Sequence, residues 1–267
     1  MDSYIYMKDI RIYTLFSGSS GNCHYIKLGD KEILIDAGKN AKAITEALSS
    51  IGADIKRIAD VYITHDHSDH TSALRVLQKK NPHIKLHFHP LCSEVLEQSG
   101  ADISDSEHVR SGSELVSDNV KIIPFDVPHD ASACVGYRIE YTSPEHPISI
   151  GVATDIGHLT LDIANGLCGC DAVIVESNHD IGMLIDGPYP EYLKHRILSQ
   201  VGHLSNESCA KLCTYLCEQG TKYVMLAHIS KENNTHELAL KAASAVSRAG
   251  AKVVAASACT PVCLYEE

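Results

Sequence analysis

The sequence has no apolar run approaching the length of a membrane-spanning helix. Its opening residues, MDSYIYMKDIRIY, lack the basic stretch followed by an apolar stretch that marks an export signal, so a cytoplasmic protein is expected. None of its ten cysteines form a C-x-x-C pair, which argues against a zinc knuckle. Without an export signal, the compartment favours free thiols. Cys209, Cys213 and Cys217 recur every four residues, which lines them along one buried helix face as small hydrophobes. Positive charge is scarce: 23 Lys and Arg stand against 34 Asp and Glu, a formal net charge of -11. A basic stripe of the kind duplex binders carry is missing, and only short clusters such as Lys39/Lys42 and Lys194-His195-Arg196 occur. That speaks against strong bulk attraction to nucleic acid. It does not exclude a nuclease, because bound metal supplies positive charge locally. No Gly/Ser- or Pro-rich linker interrupts the chain, so residues 1–267 read as a single domain.

Hydrophobic residues make up 44% of the chain, enough for a substantial core. Short β-rich runs alternate with helical stretches. IRIYTLF (10–16), HYIKL (24–28) and EILIDAG (32–38) read as successive strands, with Gly29-Asp30 as a hairpin signal. NAKAITEALSSIG (40–52) has helical periodicity and ends in Gly52. A strand over 60–64, a helix after His70, a strand over 84–89 and a helix from Pro90 follow. The second half repeats the theme with strands at KIIPFDV, CVGYRIEY, ISIGVATD, DAVIVES, YVMLAH and KVVAAS, and helices among the last of them. The pattern suggests an α/β fold of two sheets with outer helices, which periodicity alone does not establish.

Chemistry concentrates in THDHSDH, where His65, His67, Asp69 and His70 follow an apolar strand. A chain turning there into a helix can aim these side chains into one cavity. Imidazole and carboxylate together suit zinc, manganese or iron. Further ligands are expected at the ends of other apolar runs. His129 in PFDVPHDA, Asp155 in ISIGVATDIG and His228 in YVMLAHIS each occupy such a place. An aspartate at Asp155 could bridge two metals with its second oxygen. In FSGSSGN, Gly18 and Gly21 permit close backbone approach, and Ser19, Ser20 and Asn22 can donate hydrogen bonds to a phosphate. A tight hairpin without a ligand would need the same glycines. His179 and Asp180 in NHD, with Ser230 and Asn233 in SKENN, are further substrate-pocket candidates. The other histidines, His24 and His158 among them, read as ordinary core or surface residues.

In these motifs the chain resembles the metallo-β-lactamase fold superfamily, from about residue 10 to residue 264. The resemblance implies a four-layer αββα sandwich with the site at one edge, between the sheets. It implies two divalent cations, one on His65, His67 and His129, the other on Asp69, His70 and His228, with Asp155 and a hydroxide bridging. Asp36 in LIDAG would be hydrogen-bonded beside the site without ligating. Two cations about 3.5–4 Å apart lower the pKa of a bridging water, and Asp69 can accept the nucleophile's proton. Too few residues separate Asp155 from His228 to hold the inserted domain of the β-CASP nucleases.

Glu176 at the end of DAVIVES and His203 in VGHLSN resemble a pair in the superfamily's tRNA 3′-processing endonucleases. There the histidine contacts the scissile phosphate and protonates the leaving oxygen. In the alternative, His203 merely precedes a helix capped by Ser205. FSGSSGNCHYI, LIDAG, ITHDHSDH, ATDIG, ESNHD, GHLSN and LAHISKENN together are similar to the YycJ/WalJ group, also called VicX, regarded as DNA exonucleases. The resemblance implies a DNA exonuclease, and the leading expectation is one acting on DNA ends in the 5′-to-3′ direction. A hydrolase of small phosphodiesters or cyclic nucleotides is the enzymatic alternative. A metal-stabilised regulatory partner of a two-component kinase pathway is the non-enzymatic one. Oligomeric state and metal identity stay open.

Overall fold

The computed structural model describes residues 9–267. The expectation about an export signal therefore concerns a segment lying largely outside the described residues. The first half runs β1 (Ile10–Phe16), β2 (Cys23–Leu28), β3 (Lys31–Ile35), α1 (Ala41–Ser50), β4 (Ile58–Tyr62), α2 (Ser68–Thr71), α3 (Leu74–Lys80), β5 (Lys85–Phe88), α4 (Ser93–Gln98) and β6 (Glu107–His108). The second half begins with β7 (Leu115–Ser117), β8 (Val120–Asp126), β9 (Val135–Tyr141), β10 (Ile148–Ala153), α5 (Leu161–Leu167) and β11 (Ala172–Glu176). It continues with α6 (Ile181–Asp186), α7 (Glu191–Ile197), α8 (Asn206–Glu218), β12 (Tyr223–Ala227), α9 (His236–Ala242), α10 (Ser244–Arg248), β13 (Lys252–Ala255) and β14 (Val262–Glu266).

These strands make two seven-stranded sheets, ordered β14-β1-β2-β3-β4-β5-β6 and β13-β12-β11-β10-β9-β8-β7. Between the sheets, Ile12, Ile26 and Ile33 of the first pack with Ile122, Tyr137, Ile150 and Met225 of the second. A second core joins the first sheet to the helices of its half through Leu34, Val61, Ile44, Leu77 and Leu96. A third joins Val173, Val175 and Val224 to Ile163, Leu212, Leu216 and Val246. The result is the expected four-layer αββα sandwich.

Local signals explain the elements. Asn40 caps α1 by accepting from the Ala43 amide, and the apolar positions Ile44, Ala47 and Leu48 turn to the core. Ser205 caps α8, whose buried face is Cys209, Leu212, Cys213 and Leu216, as the cysteine spacing suggested. All ten cysteines are free thiols. β11 is buried at every position because it pairs in parallel with both β10 and β12 at the sheet's centre.

Several details differ from the sequence reading. The fourth strand is Ile58–Tyr62, so residues 63 and 64 already belong to the turn into the site. The helix expected from Pro90 begins as one 3₁₀ turn and becomes α-helical at Ser93. The short β6 and β7 and the C-terminal β14 were not anticipated, and β14 crosses back to pair with β1. Strands β3 and β4 run parallel, as do β10, β11 and β12, so each set opens its carboxyl ends at one edge. Ligand sites in α/β sheets form at such edges. Among the described residues no helix is long and apolar enough to cross a membrane.

Candidate metal centre

Most site residues stand at or just past the end of a strand. Asp36 follows β3, residues 65–70 follow β4, His129 follows β8, Asp155 follows β10, Glu176 ends β11 and His228 follows β12. Asp36, Asp155 and His228 hold positive φ values of 62°, 59° and 51°. Non-glycine residues rarely adopt that region, and such strain costs about 1–3 kcal/mol each. The strain turns each side chain abruptly out of its strand. Backbone hydrogen bonds fix the turn around the THDHSDH motif: the Asn22 amide donates to the Asp69 carbonyl, and the Ala37 amide to that of His70, both at 2.8 Å. Gly38 is required for this approach, since a Cβ there would lie 1.5 Å from the Asp69 carbonyl oxygen.

The side chains converge as two groups. His65, His67 and His129 bring one nitrogen each within 4.8 Å of the others, and so do the ligand atoms of Asp69, His70 and His228. Asp155 lies between them, its Oδ1 3.8 Å from His129 Nε2 and 3.5 Å from His228 Nε2, its Oδ2 3.3 Å from His70 Nε2. His65 Nε2, His228 Nε2 and Asp155 Oδ2 are buried and find no hydrogen-bond partner in the protein. Buried polar atoms are otherwise almost always paired. Three inward-facing orphan atoms of metal-binding type fit divalent cations held by these residues.

Outer partners set each imidazole. His70 Nδ1 donates to Asp36 Oδ2 at 2.7 Å. Asp36 also accepts from the Thr64 amide at 2.8 Å and from the Thr64 hydroxyl at 2.9 Å. That hydroxyl lies 3.0 Å from His65 Nδ1, so one carboxylate orients two histidines, one directly and one through Thr64. His129 Nδ1 reaches the Gly202 carbonyl at 3.2 Å, and His67 Nε2 the Asp130 carbonyl at 3.2 Å, which leaves His67 Nδ1 to face the group. Glu176 Oε1 accepts from His203 Nδ1 at 2.8 Å and from His228 Nδ1 at 2.9 Å. Glu176 Oε2 takes the Ile156 and Leu204 amides at 2.6 and 3.0 Å. His203 therefore has Nε2 free, and its preceding a helix capped by Ser205 is equally true.

Charge follows from this arrangement. Burial pushes the His65 and His129 imidazoles down; neighbouring imidazoles reinforce this at His65, while Asp155 opposes it at His129. Burial also opposes protonation of His70 and His228, but facing carboxylates outweigh it. They raise His70 to about 9 and His228 well above its ordinary value. Burial would raise the Asp69 and Glu176 carboxyls, yet the imidazoles beside them hold both well below the usual range.

The substrate-pocket candidates divide. The Asn22 side-chain amide enters the site, 3.0 Å from His70 Nε2 and 3.4 Å from Asp69 Oδ2. Ser19 and Ser20 are exposed on the loop before it, with Ser20 Oγ accepting from Lys39 at 2.9 Å. Asp180 caps α6 by accepting from the Met183 amide, and Ser230 Oγ accepts from the Asn233 amide, so both shape their own loops. The side chains of His179 and Asn233 are buried without partners.

Several site residues escaped the sequence reading. Thr64 could have been suspected from its place directly before the first histidine. Ser17, whose Oγ accepts from the His228 amide at 2.7 Å, carries no signal because its partner is distant in the chain. Arg196 ion-pairs with Asp130 at 2.6 Å, beside His67 and His129. His24, read as ordinary, is fully buried near the site and bonded to Thr14.

The β-lactamase superfamily domain matches residues 31–229. The chain is 36% identical over 229 residues to exodeoxyribonuclease WalJ of Streptococcus pneumoniae serotype 2, covering 84% of this chain and 83% of that protein. It is 32% identical over 234 residues to exodeoxyribonuclease YycJ of Bacillus anthracis, covering 87% of each. Among solved structures, the metallo-β-lactamase fold protein YhfI from Bacillus subtilis superimposes with a TM-score of 0.71 at 15% identity, covering 97% of this chain and all of that one, a likeness of fold alone.

Proposed function

The chain belongs to the β-lactamase superfamily as a metallo-hydrolase, and from that premise we propose that it is a dinuclear phosphodiesterase degrading DNA from its 5′ ends. One observation carries the reading: two three-residue ligand groups share Asp155, and His203 stands beside them on Glu176. The names of the WalJ and YycJ relatives support DNA as the substrate. The whole chain acts as one catalytic domain, without an inserted substrate domain.

When bound, two divalent cations, Zn, Mn or Fe, supply an activated water and neutralise charge growing on the phosphoryl oxygens. Asp69 accepts the proton from the attacking water. His203, oriented through Nδ1 by Glu176, presents Nε2 to protonate the leaving oxygen. Arg196, half-exposed beside the first ligand group, offers a cation to the approaching phosphate in an otherwise acidic chain.

The net charge of -11 favours a second reading, a hydrolase of small phosphodiesters. Protein loaded with Mn²⁺ or Zn²⁺ and given 5′-labelled duplex, 5′-labelled single strands and bis-p-nitrophenyl phosphate separates the two. Early release of labelled mononucleotide is expected. Turnover of the small ester with the DNA left intact selects the second reading.

A further inference from the structure

Beside the metal centre, and sharing His203 with it, lies a cavity of about 280 Å³. Its walls include Leu159 in the loop after β10, His179 and Ile181 at the turn into α6, Leu198 after α7, and Ser208 in the first turn of α8. No Asp, Glu, Lys or Arg lines it, although it adjoins a site dense with carboxylates. Leu159 and Leu198 remain 37% and 48% exposed, so two large apolar side chains stand open at its wall.

His179 is the unusual member. It is 1% exposed, and neither ring nitrogen has a partner in the protein. Its backbone is fixed, with the carbonyl accepting from the Asn206 amide at 2.9 Å. Burial lowers its pKa to about 4, so at neutral pH the ring is uncharged, with one nitrogen a donor and the other an acceptor. Leucine and isoleucine walls interleaved with imidazole and hydroxyl groups suit an aromatic heterocycle, whereas a phosphate alone would call for Lys or Arg. The volume is of the order of one nucleoside.

We propose that this cavity holds the nucleoside on the 5′ side of the scissile phosphate, with its base against Leu159, Ile181 and Leu198. The assignment rests on the phosphodiesterase reading, in which His203 faces the leaving group. Water adds its oxygen to phosphorus and gives its proton to Asp69. The P–O3′ bond breaks, its electron pair stays on O3′, and O3′ takes the proton from His203. The departing nucleoside is therefore on the His203 side, where the cavity lies. For an enzyme working from 5′ ends, that nucleoside is the terminal one, and its base must leave the complementary strand to enter. Unpaired ends are then the preferred substrate.

Calorimetric titration of metal-loaded protein with deoxyadenosine 3′-phosphate, deoxyadenosine 5′-phosphate and inorganic phosphate tests this. Only the 3′-phosphate can place its phosphate at the metals and its base in the cavity. It is expected to bind about tenfold tighter than either of the others, the scale of one base-stacking contact. Leu198→Trp, which fills the cavity, should erase that margin. Leu159→Trp fills it from another wall if the first variant does not fold. Equal affinity for all three ligands overturns the proposal, as does a margin that survives a folded cavity-filling variant. Because the readout is binding, DNA degradation without any 3′-nucleotide preference removes the cavity assignment alone. A preference without DNA degradation removes the exonuclease reading alone.

Discussion

Both candidate ligand groups are built on imidazoles, three in the first and two beside Asp69 in the second, but rest them on different partners. In the first, His67 and His129 lean on backbone carbonyls and His65 on the Thr64 hydroxyl. In the second, His70 and His228 lean directly on the carboxylates of Asp36 and Glu176. His65 and His129 of the first group are pushed down in pKa, whereas His70 and His228 of the second are pushed up. A group backed mainly by carbonyls and a hydroxyl thus sits beside one backed by carboxylates. The cause is local: the carboxylates of Asp36, Asp69 and Glu176 converge on the second group, and Asp155 faces both. A carboxylate behind an imidazole makes it a more basic ligand and fixes its tautomer. The second group's grip on a cation therefore depends on residues that never touch the cation.

Glu176→Gln should break this contrast most severely. The amide keeps the shape but cannot accept from both His203 and His228 while also receiving two backbone amides. At saturating metal, kcat is expected to fall about 10²–10⁴-fold, the range of a lost positioned acid. Affinity for one metal equivalent should fall about 10–100-fold while the other holds. Metal titration with kcat measured at each step reads both effects. Equal weakening of the two equivalents would show that the groups are not independently supported.

Asp36→Asn is the narrower break. Asparagine tolerates the positive φ at this position, so the backbone turn survives. The His70 hydrogen bond to a charged oxygen is lost, and affinity for one equivalent is expected to fall about 10–100-fold. Here, unlike in Glu176→Gln, excess metal should restore most of kcat, because His203 keeps its partner. Activity that stays low at saturating metal would place Asp36 nearer the chemistry than its contacts indicate.

The contrast between the groups was not legible in the sequence, although the residues gathered there stood out as candidates. They stood out because each follows an apolar run, and the strands carry them to one edge. The double role of Glu176 could not, since its link to His228 spans positions 176 and 228 and forms only when β11 and β12 pair. Nor do composition or periodicity reveal that Asp36, Asp155 and His228 sit in strained backbone. β14 was missed for a related reason: its partner β1 lies at the opposite end of the chain. In the FSGSSGN loop, Ser19 and Ser20 stand exposed, while Asn22 is the residue whose side chain reaches His70 and Asp69.

His24 offers a third environment, an imidazole hydrogen-bonded to a hydroxyl rather than a carboxylate, and the mildest test. Its Nδ1 meets the Thr14 hydroxyl at 2.9 Å, and its Nε2 is buried without a partner. Burial first, then the nearby His70 and His228, lowers its pKa from 6.5 to about 3. Between those values the unfolded chain binds a proton that the folded protein refuses, so stability falls as pH falls. From pH 7 to pH 5 this one group should remove about 2 kcal/mol. His24→Asn retains a polar contact for Thr14 and removes the titration. Urea unfolding of both proteins at pH 7 and pH 5 should therefore show a smaller acid loss in the variant by about that amount. Identical losses would mean that His24 gains a partner when protonated, Asp155 being the carboxylate that already favours its charged form.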